Sequence, residues 1–266
     1  MGLSRLSPSS HLWHFEKEPP NSVSQRGLKV RDVPSHGSSV EPVTLSNAFG
    51  IVLGVHIVFA LSSVILLQFT GEGAALGAGE LLLAGLPFWL AIAVAFRWVT
   101  NRTRVEPFED GRVKGRGLVI DVVGGAALGA VAQALVLPVL YLPINKLFGV
   151  NPSDVERPAR LLIERSTGAV GVIALVVATC VAAPCFEELL YRGILLPAWR
   201  MQGTARAVLG SSAVFAAMHL QLIQFPGLFL FGTLAAVLAV KRGLVASIAA
   251  HVGFNLTTLL LLGLIN

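Results

Sequence analysis

Seven apolar runs divide the chain, and no other feature constrains its folding more. They are Ala48–Phe69, Ala74–Phe96, Leu118–Leu142, Thr167–Phe186, Ala207–Phe225, Gly227–Val240 and Leu244–Ile265. Most reach the ~20 residues that a helix needs to cross a hydrocarbon core about 30 Å thick. Inside such a core every backbone N–H and C=O must be paired, and a continuous helix pairs them within the segment. The expected fold is all-α: a multi-pass transmembrane helical bundle of about seven spans. Gly227–Val240 is the weakest, because it is short and follows Pro226; it reads as a tilted span or a re-entrant piece.

Composition agrees. Hydrophobic residues make up 54% of the 266 residues and charged residues 13%, against about 25% charged in ordinary globular chains. Mean hydropathy is +0.73. These values exclude a soluble globular enzyme and a disordered chain. The net charge of +5 would suit a nucleic-acid binder, but the basic residues form no continuous patch and no nucleic-acid partner is expected. They fall between the apolar runs and set orientation instead. With the N-terminus cytoplasmic and seven crossings, 16 Lys and Arg lie inside. Only Lys146, Arg157, Arg160 and Arg165 lie outside, as the positive-inside rule demands. Trp98 and Trp199 fall beside inner boundaries, where indoles anchor.

Residues 1 to about 43 are polar and interrupted by Pro8, Pro19, Pro20, Pro34 and Pro42. They read as a disordered cytosolic tail, followed by a membrane domain over 44–266. Between the third and fourth runs, Arg157–Arg165 mixes charge with an apolar stripe, which suits an interfacial helix or a solvated loop. Cys180 and Cys185 form no C-x-x-C and read as small core hydrophobes.

Ionisable side chains in the apolar runs are the functional candidates, because a charge near mid-bilayer costs several kcal/mol. His56 stands alone, and a neutral imidazole bonded to a neighbouring helix accounts for it. Glu80 and Asp121 lie near span ends, where they can snorkel or satisfy a helix N-terminus. The second half is richer. The fourth run ends in Phe186-Glu187-Glu188-Leu189-Leu190-Tyr191-Arg192. Glu188 and Arg192 are spaced to pair on one helix face, leaving Glu187 free to face the bundle interior. The fifth run carries His219, and the last carries His251 and Asn255 on one face. Ala216, Ala217 and Gly253 would let these helices approach closely.

A carboxylate, two imidazoles and a carboxamide can hydrolyse an amide. Glu187 with His219 could hold and deprotonate a water. His251 and Asn255 could donate to the oxyanion of a tetrahedral intermediate. The same Glu187, His219 and His251 also match a common zinc ligand set.

Glu187-Glu188-x-x-x-Arg192, Phe215-x-x-x-His219 and His251-x-x-x-Asn255 resemble, in order and setting, the three motifs of the CPBP family. That family comprises CAAX proteases and bacteriocin-processing enzymes, and is also called Abi. Tyr191-Arg192-Gly193 and Lys241-Arg242-Gly243 add local context. The resemblance covers about residues 155–265. It implies an intramembrane endopeptidase, glutamate- or metal-dependent. Glu187 and His219 would activate water, and His251 and Asn255 would form the oxyanion site. Glu188 and Arg192 would support them, and a zinc ion is an open cofactor. The implied partners are membrane lipid and a membrane-anchored peptide or protein. The eukaryotic relatives cut prenylated proteins. This compact chain shows no eukaryotic targeting segment, which points to a prokaryotic plasma membrane and away from a prenyl substrate. The competing expectation is a membrane immunity or scaffold protein that binds a peptide or partner on the same fold without catalysis.

Overall fold

The computed structural model describes residues 43–70, 78–103 and 116–263. The expected tail lies almost wholly outside them. Every regular element among the described residues is helical. Helices α1 (Leu45–Thr70) and α2 (Ala78–Thr103) pack against each other. The third span is one rod, Gly117–Phe148, in which α3 (Arg116–Val131) and α4 (Leu137–Phe148) are joined by a π turn, Ala132–Val136. Next comes α5 (Pro152–Glu164), with no buried residue. Of the two readings of Arg157–Arg165, helix and loop, the helix is the one found, and Arg160 pairs with Glu156 along it at 2.6 Å.

The fourth span, Gly168–Gln202, is 35 residues long. It runs through α6 (Gly168–Val176), a π turn Val177–Ala182, α7 (Ala183–Glu188), a π turn Leu189–Leu195 and α8 (Leu196–Trp199). It therefore continues well past Phe186, the boundary expected from the charges that follow. Helices α9 (Thr204–Met218), α10 (Phe225–Arg242) and α11 (Leu244–Leu261) complete the bundle.

Among the described residues, six helices are long and apolar enough to cross a membrane. The difference from seven falls on α9, not on the run beginning at Gly227. That run gains residues at both ends and becomes the 18-residue α10, whereas α9 stops after 15 residues, about 22 Å. It stops because the chain turns at His219–Gln224, where Leu220 takes a positive φ of 55°, a rare conformation for a residue with a Cβ.

Glycine permits the closest packing in the bundle. A Cβ on Gly129 would stand 1.8 Å from the Ala250 oxygen, and one on Gly253 2.2 Å from the Ala126 oxygen. Helices α3 and α11 thus touch backbone to backbone, as small residues spaced by four allow in membranes. At the basic end, Arg242 Nε donates to Asp121 Oδ1 at 2.7 Å, so Asp121 is paired across helices. Glu80 occupies the first turn of α2, where the helix dipole favours an acid. Trp98 is 40% exposed, with the Arg102 guanidinium 4.5 Å from its ring. The Trp199 ring lies edge-on to Phe49 and against Gly210. Cys180 is buried among Ala174, Leu175 and Leu259, as a core hydrophobe, and both cysteines are free.

Candidate active site

The site begins with two departures from α-helical geometry. A π turn shifts the backbone ladder from i+4 to i+5 and is frequent at functional sites. Here each π turn precedes a proline: Pro138, Pro184 and Pro197. Proline has no N–H, and its ring crowds the carbonyl one turn earlier, so the helix widens there. In the first π turn of the fourth span, Ala183 N–H bonds the Ala178 oxygen. The next donor in that register would be Pro184, which has none, so the Thr179 carbonyl has no π-register partner. Asn255 Nδ2 donates to it across the bundle at 2.7 Å. Glu187 and Glu188 sit between the two π turns, on α7.

Glu188 is fully buried and fully partnered. Its Oε1 accepts from Arg192 Nη1 at 2.9 Å and from His251 Nδ1 at 2.9 Å. Its Oε2 accepts from Ser247 Oγ at 2.6 Å. Arg192 Nη2 also donates to the Gly232 oxygen at 2.9 Å, and its guanidinium stands 4.7 Å from the Phe215 ring. A buried ion pair recovers its desolvation cost only when its remaining groups are hydrogen-bonded, and here three donors meet the carboxylate. The expected Glu188–Arg192 pairing is thus present, inside the bundle. This neutralisation lets the span continue to Gln202, because the charges that marked its end are compensated within the protein.

Glu187 lies on the other face. Its Oε2 is 3.9 Å from His219 Nε2 and 3.9 Å from His251 Nε2, and it is buried with no hydrogen-bond partner. The imidazole tautomers follow from their other nitrogens. His219 Nδ1 bonds the Phe215 carbonyl at 2.7 Å, so it must carry the proton. His251 Nδ1 faces the acceptor Glu188 and carries one too. A ring in its neutral form then turns an Nε2 lone pair towards Glu187, and a water bridging the three atoms would give one hydrogen to Glu187 and one to an imidazole.

The same donors suit a divalent cation chemically, but their spacing does not. Among the described residues no group of three or more His, Cys, Asp or Glu could hold a metal ion. Ligands about 2.0–2.1 Å from one tetrahedral ion stand ~3.4 Å apart, closer than these. No step below passes through a metal.

Glu187, His219, His251 and Asn255 all line one cavity of ≈780 Å³. With the fourth span ending at Gln202, Glu187 lies about 22 Å along its helix from that end, level with His219 at the far end of α9. The cavity extends from there towards Val155 and Ala159 of α5 and Leu262.

The structure adds residues that sequence reasoning missed. Ser247 lies one turn before His251, a signal that helix spacing alone could have given. Tyr191 lies beside Arg192. Its hydroxyl donates to His56 Nε2 at 3.1 Å, while His56 Nδ1 donates to the Val52 carbonyl at 2.7 Å. His56 is thus the neutral, helix-bonded imidazole expected. Tyr191 also sets its ring edge-on to Phe215 at 5.2 Å, and Phe215 meets both His219 and His251.

Residues 169–257 match the family model described as type II CAAX prenyl endopeptidase Rce1-like. The segment matched supports the CPBP/CAAX protease family. It contains Glu187, Glu188, Arg192, His219, His251 and Asn255. The family is one of intramembrane endopeptidases, which agrees with the apolar helices of a membrane protein. Neither the curated proteins nor the solved structures gave a match.

Proposed function

We propose that this CPBP-family chain is an intramembrane endopeptidase that uses Glu187 as its base. The observation that carries the reading is the convergence of Glu187 Oε2, which has no hydrogen-bond partner, with the two imidazole Nε2 atoms. A water held there donates its hydrogens to Glu187 and to His219 or His251, which turns its lone pair towards a substrate carbonyl. Proton transfer to Glu187 accompanies attack of the water oxygen on the carbonyl carbon. The oxyanion is met by the second Nδ2 hydrogen of Asn255, the first being held by Thr179. When the C–N bond breaks, the proton on Glu187 passes to the leaving amine. His251 can donate to the oxyanion only as imidazolium, since Glu188 holds its Nδ1 hydrogen. The substrate is a membrane-anchored peptide or protein.

The test compares wild type, Glu187→Ala and His219→Ala in detergent against a fluorogenic peptide library. Cleavage by wild type and loss in both variants is expected. Cleavage that survives both substitutions overturns the mechanism. Peptide binding by a wild type that cuts nothing favours the scaffold reading. Loss of cleavage on chelation, restored by zinc, would assign Glu187, His219 and His251 to a metal.

A further inference from the structure

The cavity carries a second polar feature, separate from the water site. Five carboxamides line it: Gln133, Asn145, Gln221, Gln224 and Asn255. Three are taken up by the chain's own backbone. Gln224 Nε2 donates to the Val155 oxygen at 2.5 Å, and Asn255 Nδ2 to the Thr179 oxygen at 2.7 Å. Asn145, in the orientation that satisfies both ends of its amide, donates to the Tyr141 and Val150 oxygens at 3.1 and 3.0 Å. The other two differ. Gln133 Oε1 and Gln221 Oε1 are buried, and no donor in the protein meets either.

We infer that Gln133 and Gln221 bind the main chain of a peptide in this cavity, accepting hydrogen bonds from its backbone N–H groups. The inference rests on the peptidase reading and names how its substrate is held. A buried acceptor without a partner is costly, and such groups in native proteins call for an explanation. An apolar ligand group in the cavity would leave both oxygens unmet, because nothing hydrocarbon donates. A peptide offers one N–H per residue whatever its sequence, so a neutral carboxamide reads the backbone and leaves side chains to the apolar walls.

Position supports the assignment. Gln221 follows His219 by two residues in the turn that ends α9, so a chain bound to it lies beside the water site. Gln133 belongs to the π turn Ala132–Val136, on the rod that forms another wall. In the Gln221 turn, Leu220 and Leu222 are each 89% exposed. The turn therefore directs its leucines outward, while Gln221 and Gln224 line the cavity.

The experiment is a backbone scan. Wild type, Gln133→Leu, Gln221→Leu and the double variant are assayed with the best-cleaved library peptide and its singly N-methylated forms. Expected is one N-methyl position per glutamine that lowers wild-type kcat/KM about tenfold or more. The matching Leu variant should lower kcat/KM for the parent peptide similarly, through KM, and be indifferent to N-methylation at that position. Gln→Glu keeps an acceptor oxygen and should restore the sensitivity. Gln→Met replaces any Leu variant that does not fold. N-methyl effects equal in wild type and both variants overturn the inference, as does a double variant that cleaves the parent like wild type. A wild type that cleaves no peptide overturns the peptidase reading itself, so the two failures are distinct.

Discussion

Asn255 donates from Nδ2 to the main-chain oxygen of Thr179, 2.7 Å away and 76 residues earlier in the chain. This bond joins α11 to the π turn that precedes Glu187. Its acceptor is free because Pro184 has no N–H to offer.

On the proposed function Asn255 has two duties, and two variants separate them. Asn255→Asp removes both Nδ2 hydrogens and faces the Thr179 carbonyl with another acceptor. It should lower kcat by about 100-fold or more, the usual cost of one oxyanion donor, and also lower the melting temperature. Pro184→Ala supplies an N–H that competes for the Thr179 carbonyl. It should lower activity while leaving thermal stability unchanged or raised, measured by peptide cleavage and melting in detergent.

Glu188 is the keystone of a buried charge network, so its loss should register mainly as instability. Glu188→Leu leaves the Arg192 guanidinium buried without its carboxylate and should cost about 3–5 kcal/mol. Ser247→Ala removes one neutral donor to the same carboxylate and should cost less, about 1.5–3 kcal/mol, with cleavage largely retained. Denaturation in mixed micelles ranks the two. Equal effects would contradict the network.

The α3–α11 contact admits no side chain. Gly129→Ala would place a methyl 1.8 Å from the Ala250 oxygen and force the helices apart, displacing His251 and Asn255. Its expected effect is a large fall in melting temperature with loss of cleavage. Gly124→Ala, one turn away with nothing within 4 Å of the new methyl, should be neutral or gain about 0.5–1 kcal/mol from helix propensity.

His56 and Tyr191 should behave as one unit. His56→Leu leaves the Tyr191 hydroxyl buried and unpaired, at about 1–3 kcal/mol. Tyr191→Phe removes the hydroxyl itself, so the double variant should be no less stable than His56→Leu alone. Additive losses would show that the hydroxyl has another partner.

Much of the site was legible in the sequence, and the errors share one cause. Glu187, His219, His251 and Asn255 stood out because hydrocarbon makes such groups costly, and the structure brings all four to one cavity. The pairing of Glu188 with Arg192 followed from helical spacing. What spacing could not show is that this pair is buried. Read as exposed, its charges ended the fourth span at Phe186, 16 residues before Gln202. The π turns were also hidden, although Pro138, Pro184 and Pro197 mark each of them. Periodicity assumes an unbroken i+4 ladder. The acceptor role of His251 Nε2 depended on Glu188, 63 residues away, and no local pattern reports that.

The 15-residue length of α9 carries a consequence for the lipid. A helix about 22 Å long beside spans of ordinary length creates hydrophobic mismatch, which a bilayer relieves by thinning locally. Headgroups and their water are then drawn down beside the end of α9, where His219 sits. On the proposed function the hydrolytic water would not have to cross a full hydrocarbon layer, and acyl-chain length would control cleavage. In vesicles of graded thickness, cleavage should fall as the chains lengthen.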